Sequence, residues 1–90
     1  MKIDSIEHSS KFKKRWKQLP LLIKDKAEKA VRLFKNDPFH PSLRLHRLSG
    51  KLKQYWSISI DLQYRIIVRM DGDRAFFVSI GSHAIYEKLS

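Results

Sequence analysis

Three side chains of this sequence have the chemistry that cleavage of a phosphate ester requires: His46, His83 and Arg65. A histidine titrates near neutral pH and can act as a general acid or base, and the planar fork of an arginine suits a phosphate. Cleavage of RNA without a metal needs a base for the 2′-hydroxyl, an acid for the leaving 5′-oxygen and cations beside the phosphorus. Each residue also has a structural alternative, as a loop or tail histidine or as a salt-bridged strand arginine.

The chain is strongly basic, with 19 lysines and arginines against 9 acidic residues and a formal net charge of +10. Self-repulsion on that scale is usually tolerated because the partner is a polyanion, here nucleic acid or an acidic protein segment. A solvated basic surface without a specific partner is the alternative. The residues expected to bind an RNA backbone are Arg44, Arg47, Lys51, Lys53 and Arg69.

Composition excludes several classes of protein. The sequence has no cysteine, which rules out a disulfide framework and thiol chemistry. No apolar run approaches the roughly 20 residues that span a bilayer, and residues 1–14 lack the apolar segment of a signal peptide. We expect one domain over residues 1–90, located in the cytoplasm. Four scattered histidines without paired spacing predict no metal site, and we expect no cofactor.

The first half of the chain predicts a short strand and two helices. Met1–His8 could form the strand, and Ser9-Ser10 suits the N-cap of a helix over Lys11–Leu19. Pro20 suits the first turn of a second helix, which Asn36-Asp37-Pro38 ends. Each helix carries one apolar stripe, formed by Phe12, Trp16 and Leu19 on the first and by Ile23, Ala27, Ala30 and Phe34 on the second. The pattern predicts an antiparallel helix hairpin with its aromatic residues in the core.

After residue 53 the period of the apolar residues changes from helical to alternating. Tyr55–Asp61, Tyr64–Met70 and Arg74–Ile80 are predicted strands of an antiparallel meander. We expect Met70 opposite Arg74 across a three-residue turn, because a two-residue turn would shift the register by one and put Arg65 in the core. The predicted fold class is α+β, with the N-terminal strand and the helix hairpin packed on one face of an antiparallel sheet.

These registers divide the predicted sheet into two faces. The face to be covered by the helices carries Trp56, Ile58, Ile60, Tyr64, Ile66, Val68, Met70, Phe76, Val78 and Ile80. The opposite face carries Tyr55, Ser57, Ser59, Arg65, Ile67, Arg69, Phe77 and Ser79, and the alternation adds His83. We expect this second face to be exposed and to bind the nucleic acid.

The second half of the chain contains five short motifs in order: Leu48-Ser49-Gly50, Trp56-Ser57, Arg65-Ile66-Ile67, Ile80-Gly81-Ser82-His83 and Tyr86. Their order and spacing resemble those of toxins of the RelE/ParE superfamily, above all its YafQ-like and plasmid-stabilisation branches. The resemblance implies the fold of those toxins, an acidic antitoxin as partner, and ribosome-dependent cleavage of mRNA that inhibits translation.

The resemblance also implies roles for individual residues. His83 matches the histidine of the terminal motif, Arg65 matches an arginine that stabilises the transition state, and His46 matches a loop histidine of the YafQ-like branch. Tyr86 resembles a terminal aromatic residue against which a base stacks. Its structural alternative is a tyrosine that caps the small core.

The sequence departs from the YafQ-like pattern at Ser59 and Gln63, where members of that branch carry a histidine and an aspartate. The departure leaves two alternatives to an mRNA endonuclease. One is a ParE-like toxin that binds DNA gyrase without catalysis, and the other is a nucleic-acid-binding relative that has lost its activity. His83 and Arg65 on one face favour the nuclease, because a gyrase binder has no need of an acid–base residue.

Overall fold

A computed structural model of the chain describes residues 2–82, and within them the order of elements follows the sequence pattern closely. The elements are β1 (Ser5–His8), α1 (Ser10–Gln18), α2 (Leu21–Asn36), β2 (His46–Arg47), β3 (Trp56–Ser59), β4 (Tyr64–Asp71) and β5 (Arg74–Ser82). Two short 3₁₀ helices, Pro41–Leu43 and Gly50–Leu52, flank β2. The sequence pattern predicted neither these helices nor β2. No helix in this part of the chain is long and apolar enough to cross a membrane.

The strands of residues 2–82 form one sheet in the order β1-β5-β4-β3-β2. The predicted meander of β3, β4 and β5 is antiparallel, and β2 adds to it antiparallel to β3. At the other edge β1 runs parallel to β5, with Ser5 beside Arg74 and His8 beside Phe77. The sheet is therefore mixed rather than wholly antiparallel, because the pattern of a four-residue strand specifies neither its partner nor its direction.

The helices cover one face of this sheet and form the core with it. α2 buries Ala27, Ala30 and Phe34, three residues of its predicted stripe, whereas Ile23 is half-buried. The Phe77 ring of β5 lies 5.4 Å from the ring of Phe12 and 5.7 Å from that of Phe34, measured between centroids. Truncation of a phenylalanine at the centre of such a cluster typically removes about 3–5 kcal/mol of stability.

The β3–β4 hairpin has the predicted register. Trp56 lies opposite Val68 and Ile58 opposite Ile66, and the Ile60 N–H donates to the carbonyl of Tyr64 at 3.0 Å. The alternation of apolar residues is unambiguous in both strands, so burial of one face is enough to specify the pairing.

The turn of the β4–β5 hairpin differs from the prediction. Asp71, not Met70, is the last paired residue of β4, and it lies opposite Arg74, so the turn has two residues rather than three. Gly72 occupies the first of them with φ of +62°. A glycine with positive φ at this position fits a type II′ turn, whose twist matches that of the flanking strands.

A β-bulge compensates for the shorter turn. Val68 pairs with Phe77, whereas its neighbour Ile67 pairs with Ser79, so Val78 is an extra residue in β5. The extra residue moves the register by one from this point to the end of the strand. The expectation that a two-residue turn would misplace the rest of the hairpin was wrong because it did not allow for a bulge.

The bulge changes which aromatic residue belongs to the core. Phe77 is fully buried against the helices, whereas Phe76 lies opposite Arg69 on the other face. The prediction had exchanged these two neighbours and had placed Val78 in the core. Arg65 lies opposite Gly81, outside the helix-facing core, as predicted.

The face of the sheet opposite the helices, called the outer face below, is not exposed throughout. Ser57, Ile67 and Ser79 form one row across β3, β4 and β5, and their exposed fractions are 0%, 0% and 2%. Ile67 does not belong to the helix-facing cluster. The centre of the outer face is therefore covered, and the prediction that the whole face is exposed was wrong.

Ser9 joins the start of α1 to the bulge. Its hydroxyl oxygen accepts from the Phe12 N–H at 2.9 Å, which makes it the N-cap of α1. The same hydroxyl donates to the carbonyl of Val78 at 2.6 Å, and the Ser9 N–H donates to the carbonyl of Phe77 at 3.0 Å. One residue therefore caps the helix and binds two carbonyls at the bulge.

We expect Ser9→Ala to lower the free energy of unfolding by about 1–2 kcal/mol, because the N-cap bond and the bond to the bulge are lost together. Urea denaturation of the purified protein measures the change. Ser10→Ala is the matched control, since Ser10 is an exposed residue inside the helix, and its effect should stay within about 0.5 kcal/mol. Equal effects of the two substitutions would contradict the assignment.

Candidate functional site

The sheet places His46 and Arg65 on the same outer face. His46 pairs with Ser57, and Ser57 pairs with Ile67, so all three side chains share that face. Arg65 lies two residues before Ile67 on β4 and therefore has the same orientation. With strands about 4.8 Å apart and a rise of about 3.3 Å per residue, the Cα atoms of His46 and Arg65 are roughly 12 Å apart. The two side chains therefore flank β3, whose Ser57 and Ser59 are buried between them.

The backbone fixes the orientation of the exposed His46 ring. Its Nδ1 lies 2.9 Å from the carbonyl oxygen of Arg44, and because a carbonyl can only accept, Nδ1 carries the proton. Arg44 has a left-handed conformation, with φ of +49°, at the end of the first 3₁₀ helix. In the neutral ring Nε2 is then the unprotonated nitrogen, which is the one that a general base needs.

The guanidinium of Arg65 is anchored to the β3–β4 turn. Its Nη1 donates to the carbonyl of Tyr64 at 3.0 Å and also to the carbonyl of Asp61. Its Nε and Nη2 donate to no group within residues 2–82. Half-burial and two backbone acceptors hold the guanidinium group in one orientation.

Asp61 organises the turn to which Arg65 is anchored, and the sequence analysis did not single it out. Its Oδ1 accepts from the N–H groups of Gln63 at 2.9 Å and Tyr64 at 2.8 Å, and its Oδ2 lies 3.7 Å from Nζ of Lys26. Burial acts to raise the pKa of Asp61, but these hydrogen bonds and Lys26 outweigh it and hold the pKa below its usual value. An ionised carboxylate with its oxygens engaged is a positioning group rather than a proton acceptor. An aspartate that begins a turn is the local signal that could have indicated it.

We expect Asp61→Ala to lower the free energy of unfolding by about 1–2 kcal/mol, because two backbone N–H groups lose their acceptor. Asp61→Asn keeps an amide oxygen for them and should lose less. Since the pKa of Asp61 is lower in the folded chain than in the unfolded one, the charged carboxylate stabilises the fold above the unfolded pKa. That contribution is lost as the pH falls through the folded pKa.

Urea denaturation at about pH 7 and about pH 3 measures both effects. The advantage of the wild type over Asp61→Asn should shrink at the lower pH. An advantage of the same size at both pH values would show that the charge of Asp61 contributes nothing.

The basic loop is divided between the two faces. Arg47 pairs with Trp56, which lies opposite Val68 of the core, so Arg47 is on the helix side of the sheet. Its Nε donates to the carbonyl of Lys53 at 2.7 Å, and its guanidinium carbon lies 5.9 Å from the Trp56 ring centroid. Arg47 therefore stabilises the loop. The side chains of Arg44, Lys51 and Lys53 are exposed.

The two positions that depart from the YafQ-like pattern, and the two remaining predicted catalytic residues, add little to this geometry. Ser59 is nearly buried and lies opposite Arg65, whereas Gln63 is exposed in the turn. His83 and Tyr86 lie outside the described residues. Within residues 2–82, no three His, Cys, Asp or Glu side chains converge as a metal site would require.

A concavity lies on the helix side of the sheet, between α1, α2 and the end of β1. This helix groove has a volume of about 550 Å³. Its buried and half-buried lining residues are Phe12, Trp16 and Val31, and its exposed lining residues are His8, Lys13, Lys17, Glu28 and Arg32. Partial burial of the His8 ring, which lies 5.1 Å from the Phe12 ring, and the charge of Lys13 lower the pKa of His8. The groove is apolar inside and mainly cationic at its edge.

Comparisons with known proteins bear on the family and the fold of this chain. Residues 22–88 match the model of a family described as ParE-like toxin domain. A crystal structure of YafQ from E. coli strain BL21(DE3) superposes with a TM-score of 0.76 over 90% of this chain and 94% of that chain, at 21% identity. The YoeB/ParE toxin from Agrobacterium tumefaciens gives 0.70 over 92% and 99%, at 22% identity.

The crystal structure of the E. coli DinJ–YafQ toxin–antitoxin complex gives a TM-score of 0.68 over 89% of this chain and 92% of that chain, at 20% identity. No curated protein sequence is significantly similar to this chain. At such identities the likeness to the solved structures shows the fold. The matches confirm the predicted α+β fold and the resemblance to the RelE/ParE superfamily.

Proposed function

This chain belongs to the ParE-like toxin family, and on that premise we propose that it is the toxin of a bacterial type II toxin–antitoxin pair, active as an mRNA endonuclease. The observation that carries the proposal is that His46 of β2 and Arg65 of β4 both lie on the outer face of one sheet. One supplies an unprotonated Nε2 and the other an anchored guanidinium fork.

The proposed reaction is cleavage through the ribose 2′-hydroxyl. His46 Nε2 removes the proton, the 2′-oxygen forms a bond to phosphorus, and the bond from phosphorus to the 5′-oxygen breaks. Arg65 stabilises the charge that develops on the phosphate oxygens. His83, the other acid–base candidate of the sequence, is the proposed acid that returns a proton to the 5′-oxygen. The products are a 2′,3′-cyclic phosphate, or the 3′-phosphate formed from it, and a 5′-hydroxyl end.

We propose that the ribosome in the cytoplasm presents the mRNA to this site. Ser59 and Gln63 stand where the YafQ-like pattern has acid–base residues, so the catalytic set is small and positioning must supply much of the rate. A ribosome holds the A-site codon in a fixed conformation. The net charge of +10 gives the chain attraction to ribosomal RNA, through exposed cations such as Arg44, Lys51 and Lys53 and Tyr86 as the proposed stacking residue.

We expect induction of the wild-type chain in cells to produce mRNA cuts inside translated frames, mapped by sequencing of 5′ ends. His46→Ala and Arg65→Lys should each reduce these cuts at least about 100-fold, because one removes the base and the other the fork. His40→Ala is the control, since His40 is a second histidine of the same loop region and its ring bonds Ser42 in the first 3₁₀ helix.

Denaturation curves of the same variants separate chemistry from folding, since Arg65 also holds the β3–β4 turn. Cuts that persist undiminished in folded His46→Ala would contradict the assigned base. Growth arrest without any cuts would contradict the nuclease and favour the gyrase-binding alternative.

The proposed partner is an acidic antitoxin. DinJ occupies that place in the complex with YafQ named above, and the charge of this chain favours an acidic counterpart. The outer face offers Arg65 and Arg69 to such a protein. The helix groove offers an apolar floor with a cationic rim, which complements an amphipathic acidic segment.

We expect the affinity for an acidic protein encoded beside this gene to fall at least about tenfold between 0.1 and 0.5 M salt, because surface charge attraction is screened. Trp16→Ala should weaken the complex at every salt concentration, whereas Phe39→Ala, at an exposed ring outside the groove, should not. Isothermal titration measures both. An affinity that does not change with salt concentration would contradict a complex held by charge attraction.

A further inference from the structure

The outer face has a concavity of its own at the turn end of the β4–β5 hairpin. This hairpin pocket has a volume of about 190 Å³, and Glu7, Arg69, Asp71, Arg74 and Phe76 line it. The registers place Glu7, Phe76 and Arg69 in one row across β1, β5 and β4, and Arg74 and Asp71 in the next. The volume is below the range of about 300–1,000 Å³ typical of sites for drug-sized ligands, so the pocket suits one small group.

Arg69 and Phe76 give this pocket a stacking surface. The guanidinium carbon of Arg69 lies 5.3 Å from the centroid of the half-buried Phe76 ring. Unpaired RNA bases stack on aromatic rings and on guanidinium planes alike, and such stacking contributes about 1–3 kcal/mol per base in single-strand binders. Such a stacking surface suits any unpaired base and does not distinguish one base from another.

Two acidic and two basic side chains surround the stacking surface. Glu7 and Asp71 are carboxylates that only accept, whereas Arg69 and Arg74 only donate. Within residues 2–82 no ion pair joins any two of these four groups, the single one found there being Lys26–Asp61. Acceptors and donors therefore remain available for a ligand that presents both kinds of partner.

Guanine is the base that fits this arrangement. Its N1–H and N2–H₂ are adjacent donors that match the two oxygens of a carboxylate, and its O6 and N7 are acceptors that match an arginine fork. Adenine, cytosine and uracil each present an acceptor beside their donor on the pairing edge. A carboxylate would repel that acceptor.

The pocket lies on the same face as His46 and Arg65 but at a distance from them. Arg69 follows Arg65 by four residues on β4, which separates their Cα atoms by about 13 Å. A base in the pocket is therefore not one of the two that flank the bond to be cut.

We propose that the hairpin pocket binds an unpaired guanine base of the RNA substrate and gives cleavage a preference for guanine at one fixed distance from the cut. The inference rests on the proposed endonuclease function, which the catalytic residues carry without it. It adds Glu7 and Asp71 as specificity-determining residues, one of which accepts from the guanine edge.

Mapping of 5′ ends tests the proposal in cells that express the wild type, Glu7→Gln or Asp71→Asn. Wild-type cuts should share an enriched guanine at one offset. A lost contact of this kind is worth a factor of about 5–150 in base discrimination, so the enrichment should fall on that scale in at least one variant. The total number of cuts should stay within about threefold, because neither residue touches the scissile phosphate. Asp73→Asn is the matched control, since it removes the same charge from the same hairpin outside the pocket lining.

Binding of labelled uridine oligomers, with and without one central guanosine, provides a readout that does not depend on cleavage. The guanosine should tighten binding to the wild type, and the sensitive variant should lose that difference. Cuts that continue with no base enriched, or enrichment unchanged in both variants, would overturn the pocket and leave the nuclease standing. Guanosine-dependent binding without any cuts would overturn the nuclease and leave the pocket standing.

Discussion

The extra residue of β5 decides which side chains of the hairpin face the helices and which face away. Val78 has no partner in β4, so the alternation of β5 shifts at that point, and a one-residue shift exchanges the two faces of a strand. Phe77 thereby reaches the core, where its ring contacts those of Phe12 and Phe34. Beyond the bulge, Ser79 and Gly81 take the outer face beside Ile67 and Arg65. The Ser9 hydroxyl, bonded to the Val78 carbonyl, holds α1 to this irregularity.

The excess positive charge serves two purposes in this structure. Some cations are structural, because Arg65 binds the carbonyls of the β3–β4 turn and Arg47 binds the Lys53 carbonyl beside Trp56. Within residues 2–82 a single ion pair, Lys26–Asp61, is formed, and most other lysines are exposed. Such a surface repels itself and gains free energy from a polyanionic partner. The same positive charge can attract RNA and an acidic antitoxin, which would then compete for the outer face.

Local signals predicted much of the fold. Ser9, Pro20 and Asn36-Asp37-Pro38 bound the helices because capping and proline chemistry act within a few residues. The β3–β4 register followed from unambiguous alternation, and it placed Arg65 correctly on the outer face. The β4–β5 register could not be predicted in the same way. Phe76 and Phe77 are equally apolar, so the pattern fits the core with either residue and does not reveal the bulge. Asp61 carried a local signal as an aspartate at the start of a turn, whereas the orientation of His46 depends on a backbone contact that no spacing in the sequence encodes. The alternation of the strands also does not encode the burial of the centre of the outer face.

Cleavage on a purified ribosome tests whether the outer face of this sheet cuts mRNA by acid–base chemistry. Ribosomes programmed with a short mRNA would hold one defined codon in the A site, and the ends of any fragments would be identified chemically. With the wild type we expect a cut within that codon that leaves a 2′,3′-cyclic phosphate or a 3′-phosphate on one fragment and a 5′-hydroxyl on the other. With His46→Ala we expect no cut. Intact mRNA at saturating wild-type protein, together with inhibition of DNA supercoiling by gyrase, would contradict the proposed cleavage.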